Sequence, residues 1–195
     1  MRATEPPEVG AAGVDAEPDQ EQVARNIVLR LLTGAPRSRA QLAEALAKRD
    51  VPVELATRIL DRFTEVGLID DAEYADMLVR SRHVERGLSR RALAVELRRR
   101  GIDDSTAADA LAQVGDDDEV EAARQLVQRR LASTRGLDPQ TRTRRTLAAL
   151  GRRGYPPGLV ARLVRESLVG EAGEGLALPD VDVAAQDVWD GPTDE

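Results

Sequence analysis

The side chains to search first for chemistry are one histidine, one tight run of acids and a few short glycine spacings. His83 is the only histidine of the chain and lies in "RSRHVERG". A catalytic triad would have to use it, but no nucleophile motif accompanies it. Its place in the basic final turn of an expected helix suits a solvated or capping role. The acids of "GDDDEVE", Asp116 to Glu121, offer carboxylates to Mg²⁺. Acids also open helices in the ordinary way, and no second carboxylate cluster completes a site. "GRRGYPPG" and "GEAGEG" lack the lysine–serine pair and the preceding strand of a phosphate loop. The absence of cysteine removes disulfides, thiolate metal sites and a thiol nucleophile, and fits a reducing compartment. The expectation is a protein with no catalytic residue, no cofactor, no metal and no small-molecule substrate.

What remains is arginine. The formal charge of −7 hides a strong asymmetry along the chain. Residues 1–20 hold five acids against Arg2, and residues 168–195 hold eight acids and no base, which leaves 21–167 at +5. Within that body, 122–167 sets eleven arginines against Asp138 and Glu166. Such a basic body points to an anionic partner. The candidate contacts are Arg80, Arg82, Arg86, Arg90, Arg91, Arg98, Arg99 and Arg100, then Arg142, Arg144, Arg145, Arg152 and Arg153. Aromatic residues are only Phe63, Tyr74, Tyr155 and Trp189, too few to stack a run of bases. Any contact with DNA is therefore expected to be weak, non-specific and between guanidinium and phosphate.

The elements that carry these arginines repeat. "LAKRDVPV" at 46–53, "LRRRGIDD" at 97–104 and "LGRRGYPP" at 150–157 share a leucine, basic residues, a turn, an apolar residue and a helix start. Aligned on Leu46, Leu97 and Leu150, apolar residues recur ten, thirteen and fourteen positions downstream: Ala56, Ala107 and Val160; Ile59, Ala110 and Leu163; Leu60, Leu111 and Val164. Leu42, Leu93 and Thr146 recur four positions upstream. Offsets of three and four mark one helix face on each side of the phrase. The phrase thus reads as a hinge between two helices, with Gly101, Gly154 and Asp50 as left-handed residues after the first. Pro52, Pro156 and Pro157 suit the start of the next.

An earlier helix precedes each pair. The first is expected at about 21–33 with Val23, Ile27, Leu31 and Leu32 on its stripe; the second opens at "DDAEYADMLVRSR", with Asp70 and Glu73 spaced as a capping box and Tyr74 in the core; the third opens at "DDDEVEAARQLVQRRL". The second helices are expected to start at Ser38, Ser89 and near Thr141. A period of about 50 residues means a tandem array, since a three-helix unit of that size is marginal alone. The fold expected is all-α: three tandem three-helix-bundle repeats at 23–69, 70–115 and 116–168 in an elongated array. The acidic tails at 1–22 and 169–195 have a composition that argues for disorder. No secretory signal or membrane span is legible, so a cytoplasmic location is expected.

One alternative uses the same helices. "SRAQLAEALAKRDVPVELATRILDRFTEVGLID" reads as helix, turn, helix and a "GLI" exit, like a helix-turn-helix transcription regulator that reads duplex DNA. A winged reader would need two strands next, where a capped helix is expected. Its recognition helix would also set Glu54, Asp61 and Glu65 beside Arg58 and Arg62.

The stretch "GLIDDAEYADMLVRSRHVERGLSRRALAVELRRRGID", 67–103, resembles the signature of the RecX regulators of bacterial recombination. The matching elements are "GLIDD" followed by "YA", an arginine-rich helix end, "RG", an "EL" pair and "RRRGI". With its flanking repeats the resemblance covers about 23–168. It implies three tandem three-helix repeats. It also implies binding to the RecA recombinase, especially its filament on single-stranded DNA, with restraint of its ATPase and strand exchange. The "RD" hinge of the first repeat, the divergent third repeat and both acidic tails depart from the pattern. Trp189, in "LPDVDVAAQDVWDG", falls outside it.

Overall fold

A computed structural model describes residues 19–172. Among the described residues there are nine helices and no strand: α1 (Gln20–Gly34), α2 (Arg39–Ala47), α3 (Val53–Glu65), α4 (Asp71–Arg86), α5 (Arg90–Arg99), α6 (Asp104–Leu111), α7 (Asp116–Ala132), α8 (Pro139–Gly151) and α9 (Pro157–Ala172). The chain divides into two compact units between Asp71 and Ala72. Both acidic tails expected from composition, and Trp189, lie almost wholly outside the described residues.

The first unit packs α1, α2 and α3 around Leu42, Leu46, Ile59, Leu60 and Phe63, closed by Val51 and Ile69. The second unit holds two such cores. Tyr74, Leu78, Leu93, Leu97 and Ile102 build one from α4 to α6, and Val127, Leu131, Leu150, Tyr155, Val160 and Leu163 build the other from α7 to α9. Each core is almost purely aliphatic. That is how a chain so poor in aromatics folds, by burying several small faces in place of one large one.

The recurrent phrase is one chain reversal made three times. Asp50, Gly101 and Gly154 all have positive φ, at 57°, 73° and 85°. The next amide reaches back across the reversal to the leucine carbonyl at 3.2 Å, from Val51 to Leu46, Ile102 to Leu97 and Tyr155 to Leu150. The positive-φ residue itself donates to Ala47, Arg98 or Gly151, at 2.8–3.0 Å. This pair of bonds is the Schellman end of a helix, and its apolar follower turns inward. Val51, Ile102 and Tyr155 are accordingly 8%, 4% and 2% exposed. Tyr155 goes in so far that its hydroxyl is buried without a partner. Burial, with a smaller push from Glu119 and an opposing pull from Arg153, moves its phenol up to about 12.

The starts of the second helices are equally local. Ser38 and Ser89, both fully buried, accept from the amides of Gln41 and Ala92 at 3.2 Å. Ser38 completes a capping box with Gln41. The third repeat departs from the expected start near Thr141. Asp138 caps α8 by accepting from the Thr141 amide at 2.9 Å, and Pro139 occupies the first turn, so α8 begins earlier than the alignment implied.

The stripe expected on α1 also needs correction. Its fully buried residues are Ala24 and Val28, while Val23 is 40% exposed. Ile27, Leu31 and Leu32 pack at the margin of the core. Helix α1 carries apolar side chains over a broad arc, so spacing alone did not locate its centre. Small Ala24 sits where the helix is wholly enclosed.

Candidate partner-binding site

The thirteen arginines singled out by composition fall into two groups once folded. Some are spent inside the protein. Arg142 is 8% exposed; its Nη2 donates to the Leu131 carbonyl at 3.1 Å and to Glu171 at 2.8 Å. It stands eight residues before Leu150, as the buried serines Ser38 and Ser89 stand before Leu46 and Leu97. The earlier start of α8 therefore turns an expected surface arginine into an interior one. Arg100 donates to the Tyr74 hydroxyl at 2.7 Å and to Glu96 at 3.0 Å, and Arg82 reaches the same Glu96 at 3.3 Å. That carboxylate joins α4 to α5, and Tyr74 is core apart from this bond.

Arg90 is a fastener between the two cores of the second unit. Its amide and Nε both donate to Glu119, at 2.9 and 3.1 Å, and its other nitrogens reach Asp116 and the Val114 carbonyl. Asp116 and Glu119 of the acid run that resembled a cation site are thus paired with Arg90, and Glu121 is paired with Arg124. Among the described residues no three histidine or acid side chains form a group able to hold a metal ion. His83 places Nδ1 3.0 Å from the Leu88 carbonyl, which closes the end of α4. A carbonyl only accepts, so that nitrogen carries the proton.

The others face solvent. Arg80, Arg86, Arg91, Arg99, Arg144, Arg145 and Arg152 are exposed and have no side-chain partner among the described residues. Arg98 is 73% exposed and only 3.4 Å from Asp104, a contact that contributes little.

Three of the expected arginines converge. Arg86 from the end of α4, with Arg152 and Arg153 from the hinge after α8, line an open cavity of about 790 Å³. Arg129 and Arg130 of α7 join them, and Glu85 is the one acid of the lining. Its apolar part is Leu88, Leu126, Ala149 and Leu150. Arg153 is held rigidly, with Nε donating to the Arg86 carbonyl at 3.0 Å and Nη1 to the Ala149 carbonyl at 3.3 Å. Arg130 leaves its Nε buried with no partner. Two direct contacts between the cores close the rear of this corner. The Ser89 amide donates to the Arg153 carbonyl at 3.0 Å, and Gly154 lies so near Ser89 and Ala92 that a β-carbon would overlap both.

The remaining expected arginines are not part of this cluster. Arg129 and Arg130 were not anticipated as contacts. They lie in the last turn of α7, where cations complement the helix dipole, and only the packing of α7 beside the hinge reveals a second role. The cavity is a fixed set of cations around an apolar patch, suited to an anion with some apolar surface. The helix-turn-helix alternative finds little support in the geometry. The exposed face of α3 mixes Glu54, Asp61 and Glu65 with Arg58 and Arg62, and helix α4 follows it. No helix of the described residues is long and apolar enough to cross a membrane.

Comparison with known proteins agrees with this architecture helix triplet by helix triplet. Residues 24–63, 70–111 and 116–164 match the first, second and third three-helix domains of RecX. The regulatory protein RecX of Thermobifida fusca is 52% identical over 166 residues, covering 85% of this chain and 90% of the relative. That of Streptomyces coelicolor is 51% identical over 157 residues, 80% of this chain and 84% of the relative. The crystal structure of RecX from Lactobacillus salivarius superposes with a TM-score of 0.66 at 21% identity, over 75% of this chain and 96% of the other. A second RecX crystal structure gives 0.67 at 24% identity, over 76% and 74% of the two chains. With three repeats matched in order and half the residues identical to a relative over most of both lengths, the chain belongs to the RecX family of regulatory proteins.

Proposed function

We propose that this chain binds RecA, above all as the filament on single-stranded DNA, and restrains its ATPase and strand exchange. It would thereby modulate homologous recombination, DNA repair and the SOS response. It acts by occupancy, without catalysis or a cofactor. Membership of a family named as regulatory supports the reading. The single structural observation that carries it is the set of arginines with no carboxylate partner among the described residues, gathered most densely at the cavity of Arg86, Arg129, Arg152 and Arg153. A protein of net charge −7 that leaves these cations unpaired with acids among the described residues presents them to something anionic, either filament acids or DNA phosphate. Several weak contacts made by consecutive repeats add through effective concentration, so no single arginine needs a large share.

The test is a titration of RecA's single-strand-dependent ATPase with this protein at fixed, moderate salt. Inhibition at substoichiometric amounts is expected, because one bound molecule silences many protomers of a filament. Replacing Arg98, Arg99 and Arg152 by alanine removes exposed charge without touching the internal network. At about 0.5 kcal/mol per exposed ion pair, the three together raise the half-inhibitory concentration by about tenfold. No inhibition at a large excess over RecA overturns the reading. Specific retardation of one duplex sequence would replace it with the transcription-regulator alternative.

A further inference from the structure

The arginine cavity and the acidic segment that follows α9 belong to the same chain. Glu171, in the last turn of α9, accepts from the Arg142 nitrogen that also donates to the Leu131 carbonyl. The end of α9 therefore lies against the end of α7, two residues from Ser133, which lines the cavity. Beyond Ala172 the chain continues to residue 195 with seven acids and no base. Every six residues of extended chain span about 20 Å, and 23 residues follow Ala172.

The two also match chemically. The cavity sets five arginines and Glu85 around Leu88, Leu126, Ala149 and Leu150. The segment interleaves Asp180, Asp182, Asp187 and Asp190 with Leu178, Val181, Val183, Val188 and Trp189. A bare phosphate would use the cations and leave the apolar floor wet, whereas this segment supplies both kinds of group.

We propose that the acidic segment 174–195 seats in the arginine cavity of its own chain, with Trp189 among its apolar anchors, and shields the cavity from an anionic partner. The seating stands on charge, reach and the apolar floor; the shielding rests on the cavity being part of the partner-binding surface. A short tether gives an effective concentration of about 1 mM, so a contact with a dissociation constant of about 0.1 mM would be occupied roughly ten to one. Removing the segment would then tighten an anionic partner by about tenfold.

Trp189 is the only tryptophan, so the intact protein carries its own reporter. The measurement is its emission wavelength and its quenching by acrylamide. The expected result is blue-shifted, protected emission that is independent of protein concentration. It should move to the solvent-exposed position when salt is raised to about 1 M, where the Debye length is about 3 Å. The same shift is expected when Arg129 and Arg152 become alanine, and when heparin is added as a competing polyanion. Because a cavity variant can fail to fold, Asp180, Asp182, Asp187 and Asp190 changed together to asparagine provide the second route, with helicity checked by circular dichroism.

Solvent-exposed Trp189 in the untouched protein overturns the seating. So does protection that disappears on dilution, which would assign the segment to a second copy, and protection unaffected by the asparagine changes. The partner arm is read separately, as binding of a single-stranded oligonucleotide and inhibition of RecA with and without residues 174–195. If Trp189 is protected but RecA is not inhibited, the functional reading fails and the seating stands. If inhibition is present but Trp189 is exposed, the seating alone fails. If Trp189 is protected and deletion leaves both partner readouts unchanged, the shielding is overturned.

Discussion

Gly154 carries more structural constraint than any arginine near it. Its φ of 85° is a conformation that side chains with a β-carbon occupy at a cost of about 1–2 kcal/mol. A β-carbon there would also meet Ser89 Oγ at 2.4 Å, the Ala92 β-carbon at 2.8 Å and the Ala92 amide nitrogen at 3.0 Å. Two of these contacts involve backbone or a β-carbon, neither of which can swing away. Overpacking of that kind costs about 1–3 kcal/mol, so Gly154→Ala is expected to destabilise the second unit by about 2–5 kcal/mol in urea denaturation. Gly136 lies in a turn with nothing within 4 Å of the same added atom, and Gly136→Ala should change stability by less than about 0.5 kcal/mol. Equal effects at the two sites would mean that the corner formed by Ser89, Arg153 and Gly154 does not hold the two cores together.

At the scale of the element, helix starts decide the response to acid. Asp103 caps α6, a helix of only eight residues, and accepts from the Ser105 hydroxyl and amide and from the Thr106 amide. The Ser105 and Thr106 bonds hold its carboxyl far below the ordinary carboxylate range. Asp138, capping α8 through Thr141, is lowered for the same reason. A carboxyl depressed in the folded state contributes stability above its unfolded value of about 4, and that contribution is lost as the pH falls towards the folded value. Melting temperature should therefore drop between about pH 4 and pH 2. Asp103→Asn keeps an acceptor at the cap but does not titrate. Its melting temperature is expected to fall less steeply over that interval, and parallel curves for the two proteins would show that the cap is not what acid removes.

For the whole molecule, the division at Asp71 has a thermodynamic consequence. The first unit rests on one aliphatic core, whereas the two cores of the second share Arg90, Ser89 and Gly154 at their junction. Leu42 is fully buried in the first core, so Leu42→Ala is expected to cost about 2–5 kcal/mol there. Hydrogen exchange should report the loss in α1–α3 while the amides of α7 and α9 keep their protection. Loss of protection in α7 and α9 to the same degree would show that the chain unfolds as one body.

Much of this was legible in residue order because it is governed by local physics. The three reversals at Asp50, Gly101 and Gly154, the buried caps Ser38 and Ser89, and the inward residues ten to fourteen positions after each hinge leucine all depend on contacts a few residues apart. Such contacts leave a period in the sequence. The start of α8 was misjudged because Asp138 and Pro139 supply a competing cap one turn early, and this buried Arg142. Which arginines stay free was not legible. Arg90 and Arg100 stand directly beside Arg91 and Arg99 in sequence, and what separates them is whether Glu119 or Tyr74 arrives from another helix. The sequence by itself determined the repeat, its hinges and the presence of unspent positive charge. Only the tertiary structure decided where that charge gathers, because the cavity is assembled from the ends of α4, α7 and α8, which lie up to 68 residues apart along the chain and meet only when the two cores dock.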